Sequence, residues 1–278
     1  MSILKSILFG IVEGITEWIP VSSTAHLKIV NELCPLGAST EFYSVFEVVI
    51  QLGAIIALLI VFWKKIWPFG ETKKPLGPGL LKYVKKDKFF LWLKIAVSCI
   101  PVIVYKLFVD DYVTFVNEEN ELFIISISLI VVGIVFVVVE ALIKNKKPII
   151  EKTKDITFTN AIIIGLVQLI AAIFPGVSRS GATIIAALLM SISRLTATEY
   201  TFELAIPTML GASLMEVLDF GLNFTLVEVF TLLVGCIVAF AVSLFFINFI
   251  LNYIRKNSFT IFGIYRVLLG IVIILFLI

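Results

Sequence analysis

The sequence predicts an all-α polytopic membrane protein, because it is very apolar and its apolar stretches are long and show no alternation. Of its 278 residues 60% are hydrophobic and 15% are charged, whereas an ordinary soluble domain has about 45–50% apolar and about 25% charged residues. Several stretches reach about 20 residues with almost no charge, the length that crosses a hydrocarbon layer of roughly 30 Å. The runs of Leu, Ile, Val and Phe lack the two-residue period of a membrane β-barrel.

Cysteine and histidine content excludes several kinds of site. Cys34, Cys99 and Cys236 lie far apart without a CxxC spacing, so neither a disulfide framework nor a zinc site is indicated. His26 is the single histidine, which excludes any mechanism that needs two. Two glutamates soon interrupt the first apolar run and no small-residue cleavage site follows, so the run is not interpreted as a signal peptide.

Six segments are predicted to cross the membrane as helices, and two further apolar stretches are interrupted. The crossing segments are residues 42–63, 89–109, 122–143, 198–219, 225–252 and 259–278. Residues 3–34 are interrupted at Pro20 and residues 159–192 at Pro175. Proline ends a helix and the Ser or Thr that follows caps the next one. Non-helical backbone at membrane depth is tolerated only where it is buried or lines a wet cavity, so two re-entrant helical hairpins are expected.

The two halves of this single membrane domain (residues 1–278) resemble each other. The matching segments are Gly-Ile-Val-Glu at 10–13 and Gly-Leu-Val-Gln at 165–168, then Phe-Glu at 46–47 and at 202–203. We therefore predict internal repeats of about 1–144 and 157–278, each a hairpin followed by three crossing helices. Because three crossings is an odd number, the second half enters from the opposite face and the repeat is inverted.

Loop charge predicts the orientation in the membrane. Residues 64–88 hold eight lysines and residues 144–154 five, while residues 35–41, 110–121 and 220–224 hold no lysine or arginine. The acidic residues of 110–121 are Asp110, Asp111, Glu118, Glu119 and Glu121. The basic loops are thus expected in the cytoplasm, as solvated surfaces near anionic membrane lipid, and no nucleic-acid partner is expected. The first hairpin then enters from the outer side and the second from the inner side.

Two carboxylates lie on one face of the first hairpin. Glu13 and Glu17 are four residues apart, so they share a helix face. Carboxylates at membrane depth are costly unless they are paired, protonated or bound to a cation. A structural ion pair is one interpretation. Because no Lys or Arg lies one turn away on that face, a divalent metal site or an acid/base pair is favoured.

Each interruption contains hydroxyl side chains and one basic side chain, His26 in the first and Arg179 in the second. Ser22, Ser23 and Thr24 precede His26 in the first, and Ser178, Arg179 and Ser180 precede a glycine in the second. Helix capping explains one or two hydroxyls but not His26, although a lone histidine is often a core residue. Arg179 needs an anionic partner at this depth, and a salt bridge to either glutamate is one interpretation. Two helix N-termini with Arg179 and His26 would suit a phosphate or diphosphate.

The remaining buried polar residues give weaker signals. Gln51, Gln168 and Thr183 are interpreted as hydrogen-bonding groups between helices. Arg266 is expected to extend its guanidinium to the membrane surface or to pair with Glu140, and the sequence gives no functional argument for it.

Both interruptions resemble the signatures of a known family. Residues 13–26, Glu-Gly-Ile-Thr-Glu-Trp-Ile-Pro-Val-Ser-Ser-Thr-Ala-His, resemble the first signature of the undecaprenyl-diphosphate phosphatases of the bacitracin-resistance type. Residues 175–183, Pro-Gly-Val-Ser-Arg-Ser-Gly-Ala-Thr, resemble the second. The stretches 46–54 and 202–212 also match, so the resemblance covers nearly the whole chain. Ala25 stands where the family has glycine.

The resemblance implies an enzyme of the bacterial cytoplasmic membrane that hydrolyses the C55 isoprenyl diphosphate to the monophosphate and inorganic phosphate. This reaction recycles the lipid carrier of peptidoglycan synthesis and gives resistance to bacitracin. The catalytic residues implied are Glu13, Glu17, Ser23, His26 and Arg179, with Glu13 and Glu17 on a Mg²⁺ or Ca²⁺ ion. The diphosphate-binding residues expected are Ser22, Thr24, Ser178, Arg179, Ser180 and Thr183. A homodimer is compatible with the resemblance.

The sequence leaves the nucleophile and one competing function open. The group that attacks the phosphorus could be Ser23 activated by His26, His26 itself or a metal-bound water. Ser23 is slightly favoured because the side chains of Ser23 and His26, three residues apart, can touch. A PAP2-type lipid phosphatase is excluded since that mechanism needs two histidines. A flippase for the lipid monophosphate would use the same anion site without turnover. The active site is predicted to open to the outer side.

Overall fold

The computed structural model describes residues 2–110, 116 and 120–278, and these residues are mainly α-helical. Asp111, Glu118 and Glu119, which contribute to the predicted outer-side acidity, lie outside the described residues. The helices are α1 (Ser2–Thr16), α2 (Ser23–Leu33), α3 (Thr40–Val49), α4 (Gln51–Ile66), α5 (Lys86–Phe108), α6 (Glu121–Ile143), α7 (Phe158–Ile173), α8 (Arg179–Leu189), α9 (Arg194–Phe220), α10 (Leu226–Ile254) and α11 (Thr260–Phe276).

Five apolar helical stretches in the described part of the chain are long enough to cross a membrane, which confirms the predicted all-α membrane class. They are α3 with α4 (Thr40–Ile66), α5, α6, α9 and α10. The sixth predicted crossing segment forms α11, an apolar helix of 17 residues, at the short end of the range of about 17–25 that spans a bilayer. Ile127, Val131, Ile134 and Val138 form an exposed apolar stripe along α6, as expected of a surface that faces lipid.

Both predicted interruptions lie between helices, and they have matching local geometry. α1 ends at Thr16 before α2 begins at Ser23, and α7 ends at Ile173 before α8 begins at Arg179. The capping residues Ser22 and Ser178 have φ of 73° and 70°, a left-handed backbone that is unfavourable for a residue with a side chain. The Oγ of each serine accepts a hydrogen bond from a backbone N–H three residues later. We call residues 17–22 the first break and residues 174–178 the second break.

Close helix packing holds the two breaks in place. α1 lies along α10, α5 along α7 and α6 along α11. Gly133 of α6 and Gly263 of α11 face each other so closely that a Cβ on either would come within 2.7 Å of the other's carbonyl oxygen. Small residues allow such close helix contact in membranes. In the first break, Trp18 is buried with its ring edge against Phe202 of α9, at a centroid distance of 5.0 Å.

Candidate active site

Glu17 of the first break connects the first residues of α2 and α8 through its two carboxylate oxygens. Arg179 Nη2 donates to Glu17 Oε1 at 2.6 Å, and Ser23 Oγ donates to Glu17 Oε2 at 2.6 Å. Glu17 is buried, with 8% of its surface exposed, so both contacts form in a poorly hydrated environment where they are strong. The salt bridge considered for Arg179 is therefore present in the structure, and Glu17 is its partner.

A cavity of about 500 Å³ borders this connection. Among the predicted site residues, the α1–α2 segment contributes Glu17, Ser22, Ser23 and Thr24, and the α7–α8 segment contributes Ser178, Arg179 and Ser180. Apolar groups such as Val102, Ala172 and Met209 complete part of the wall. The N-termini of α2 and α8 thus border one cavity. Their free backbone N–H groups and the adjacent guanidinium make the cavity suitable for an anion attached to an apolar chain.

The expected contact between Ser23 and His26 is wrong for this structure. His26 Nδ1 lies 2.7 Å from the carbonyl oxygen of Ser22, and its Nε2 lies 2.7 Å from the hydroxyl of Tyr265. Because a carbonyl oxygen only accepts, Nδ1 carries the proton, and in the neutral ring Nε2 accepts from the tyrosine. The Ser23 hydroxyl instead donates to a carboxylate, which makes a stronger hydrogen bond than a neutral acceptor does. His26 does not line the cavity.

Glu13 is completely buried one turn before Glu17. Neither of its carboxylate oxygens has a hydrogen-bond partner among the described residues, and its surface is 0% exposed. An ionised carboxylate in this state is costly unless a proton or a cation accompanies it. Glu13 does not line the cavity.

The carboxylates of Glu13 and Glu17 supply oxygen donors, the kind of ligand that a hard divalent cation binds. The described residues contain no group of three or more His, Cys, Asp and Glu side chains arranged for a metal ion. Mg²⁺ is commonly held by one or two carboxylates together with the phosphates of a substrate. Glu13 has two unpartnered oxygens, whereas both oxygens of Glu17 already bond Arg179 and Ser23, so a cation shared by the two carboxylates would replace one of those contacts.

Thr183 forms the expected hydrogen bond between helices but does not line the cavity, and Gln168 differs from its sequence-based interpretation. Thr183 is fully buried and does not line the cavity, because its Oγ1 bonds the carbonyl oxygen of Arg179 and lies 2.9 Å from Thr201 Oγ1. It joins α8 to α9, so the structure does not bring it to the expected diphosphate. Gln168 does line the cavity while 2% exposed, and neither of its amide atoms has a partner among the described residues. Its alignment with Glu13 in the repeat was the available signal for a site role.

Arg266 makes contacts that the sequence analysis missed. It was expected at the surface or on Glu140, but its surface is 0% exposed, and Glu140 is paired with Arg194. Arg266 instead donates to backbone carbonyl oxygens of both breaks. These are Pro20 O at 3.1 Å, Gly176 O at 2.7 Å and Val177 O at 2.9 Å.

Comparison with known proteins gives matches over nearly the whole chain. The family model described as "Bacitracin resistance protein BacA" matches residues 6–272. A protein of Desulfitobacterium hafniense named undecaprenyl-diphosphatase is 48% identical, over 99% of this chain and 96% of that protein. A protein of the same name from Lachnoclostridium phytofermentans is 48% identical, over 98% of this chain and 96% of that protein. Another, from Enterococcus faecalis, is 46% identical, over 99% of this chain and 97% of that protein.

Proposed function

Because the chain belongs to the bacitracin resistance protein BacA family, we propose that it hydrolyses undecaprenyl diphosphate to undecaprenyl phosphate and inorganic phosphate. It is a hydrolase of bacterial membranes that regenerates the lipid carrier used in peptidoglycan synthesis. It gives resistance to bacitracin by consuming the diphosphate that the antibiotic sequesters. The observation that carries the proposal is the carboxylate of Glu17, which bonds both Ser23 and Arg179 beside the cavity.

The chemistry of the cavity supports a lipid diphosphate as substrate. Arg179 donates from Nη2 to Glu17 and from Nη1 to Thr208, and its guanidinium has further N–H groups to offer a phosphate oxygen. The backbone donors at the N-termini of α2 and α8 add to the positive field at the cavity. The diphosphate would bind between these groups, with the isoprenoid chain along the apolar wall.

The proposed reaction uses Ser23 as the nucleophile and Glu17 as the general base. Glu17 Oε2 takes the proton of the Ser23 hydroxyl while Oγ attacks the terminal phosphorus, and the bond to the bridging oxygen breaks. Undecaprenyl phosphate leaves, and water then hydrolyses the phosphoserine to inorganic phosphate, while the proton held on Glu17 Oε2 returns to Ser23 Oγ as the bond to phosphorus breaks. Arg179 stabilises the charge that develops on the phosphoryl oxygens, as in other phosphoryl transfers. A catalytic role for His26 stays a prediction from the family resemblance.

We expect Glu13 and Glu17 to hold a divalent cation in the active enzyme. When bound, Mg²⁺ or Ca²⁺ would neutralise charge on the diphosphate. The unpartnered oxygens of Glu13 support this proposal.

Purified protein is expected to release inorganic phosphate from C55 diphosphate in the presence of Mg²⁺ or Ca²⁺ and to lose this activity in excess EDTA. Phosphate release in detergent is measured with the cation present, removed and restored. Full activity in EDTA would contradict the role of the metal and leave Glu13 and Glu17 as acid/base groups. Binding of the lipid without phosphate release under any condition would instead favour a flippase that uses the same anion site.

We also propose that the chain is an inverted repeat with two re-entrant hairpins. The matching left-handed serine caps of the two breaks support this proposal. Equivalent helices of the two halves also pack in equivalent pairs, since α1 lies along α10 and α7 along α5.

The active site is proposed to open on the outer side of the membrane. The cavity is lined by Asp110, Val116 and Glu121 from the acidic connection, opposite the lysine-rich loops. In a variant without native cysteines, Asn223→Cys is expected to react with a membrane-impermeant thiol reagent on intact cells, because it lies in the connection predicted to be outside. Asn145→Cys is the matched control in a lysine-rich loop and is expected to react only after lysis. Reaction of Asn145→Cys in sealed cells would reverse the orientation.

A further inference from the structure

Arg266 is a buried cation whose hydrogen bonds go to peptide groups. Its three described partners are carbonyl oxygens, one in the first break and two in the second. No ion pair joins it to a carboxylate in the part of the chain that the structure describes. A buried arginine is expensive in a membrane protein, so these backbone contacts need a reason beyond packing.

The contacts fix the direction of peptide groups that border the cavity. In a planar trans peptide the C=O and the following N–H point in opposite directions. Since the Val177 carbonyl points at Arg266, the N–H of Ser178 points away from the guanidinium. Gly176, Ser178 and Arg179 all line the cavity, so this peptide orientation governs which backbone groups an anion there meets.

The second break is restrained from another direction as well. Gly176 has φ of 85°, and a Cβ at this residue would lie 2.8 Å from backbone atoms of Ile125 in α6. The second break therefore lies against α6 at Gly176, and Arg266 of α11 donates hydrogen bonds to the carbonyl oxygens of Gly176 and Val177. The first break is held to the same guanidinium through Pro20.

We propose that Arg266 is a positioning residue for phosphoryl transfer, which sets the backbone of both breaks so that their helix N-termini meet the diphosphate together. The proposal rests on the proposed function. The planar guanidinium fork bonds both breaks simultaneously, whereas the ammonium of a lysine is a compact point charge that does not reproduce the fork. Arg266 does not line the cavity, and its effect on the diphosphate passes through the peptide groups that it orients.

The test compares Arg266→Lys and Arg266→Gln with the wild type in three measurements. These are kcat and KM for C55 diphosphate, the Kd of a methylene-bridged isoprenyl diphosphonate, and the thermal unfolding midpoint. The loss of oriented backbone donors is expected to lower kcat by a factor on the order of 10² in Arg266→Lys, as when one oxyanion donor is removed. The Kd of the diphosphonate is expected to rise, and the unfolding midpoint of Arg266→Lys to stay near that of the wild type.

Arg194→Lys is the matched control, because Arg194 is held by Glu140 and lies outside the cavity lining. Its kcat and Kd are expected to stay close to those of the wild type, because the partly buried pair of Arg194 and Glu140 does not touch the cavity. Wild-type kcat and Kd in both Arg266 variants would overturn the proposal. Loss of folding in both variants would also overturn it, since the role would then be architectural. If the wild type releases no phosphate, the proposed function fails, and the Kd of the diphosphonate still tests Arg266.

Discussion

Glu17→Gln is expected to lower kcat/KM for C55 diphosphate by a factor on the order of 10³, within the range for loss of a general base. The amide has nearly the shape of the carboxylate, but it does not take the proton of Ser23. It also loses the charge that holds Arg179 Nη2 at 2.6 Å. Steady-state phosphate release by purified variants measures the effect.

Glu199→Gln provides the matched control for that substitution. Glu199 pairs with Lys65 at 2.7 Å and does not line the cavity, so its loss should leave turnover close to the wild type. If Glu17 and Ser23 act as one unit, as proposed, the double variant Glu17→Gln with Ser23→Ala should lose little more than either single variant. Near-normal turnover in Glu17→Gln would refute the role of Glu17 as base.

Arg179→Lys is expected to lower kcat/KM by a factor on the order of 10² or more, because one charged contact of about 3 kcal/mol in the transition state is lost. A guanidinium contacts Glu17 and a phosphate oxygen with separate N–H groups in a fixed plane, which a lysine ammonium does not reproduce. Phosphate release as a function of substrate concentration separates the effect on kcat from that on KM.

The competing interpretation of Arg179 is purely structural, since it already forms an ion pair with Glu17. In that case Arg179→Lys would keep near-normal turnover, while Arg179→Ala would fail to fold. The same substitution at Arg194, Arg194→Lys, again serves as the control for a general effect of replacing a partly buried arginine.

The sequence predicts the features of this molecule that depend on composition and local chemistry. Long uncharged stretches predict helices of spanning length, and proline followed by serine predicts both breaks. The cost of an unpaired charge at membrane depth also predicts an anionic partner for Arg179, which the structure identifies as Glu17.

Contacts between distant segments could not be predicted in the same way. His26 lies near Ser23 in the sequence, yet its Nε2 bonds the hydroxyl of Tyr265, which is 239 residues away. Helical spacing gave the expectation that Ser23 and His26 meet, but Ser23 bonds the stronger carboxylate acceptor of Glu17 and His26 bonds Ser22 O and Tyr265. Arg266 was missed for a related reason, because its partners are carbonyl oxygens, which every residue type possesses.

The contacts of Arg266 also have a consequence for the order in which the protein assembles during synthesis. Both breaks precede α11 in the chain, so they reach the membrane before the ribosome has made the arginine that bonds them. Until α11 inserts, the carbonyl oxygens of Pro20, Gly176 and Val177 lack this donor, and each unsatisfied group in lipid is costly. When α11 inserts, the guanidinium of Arg266 enters the bilayer at a cost in free energy. Its hydrogen bonds to these carbonyl oxygens offset that cost. Insertion of α11 and completion of the candidate site are thereby the same event.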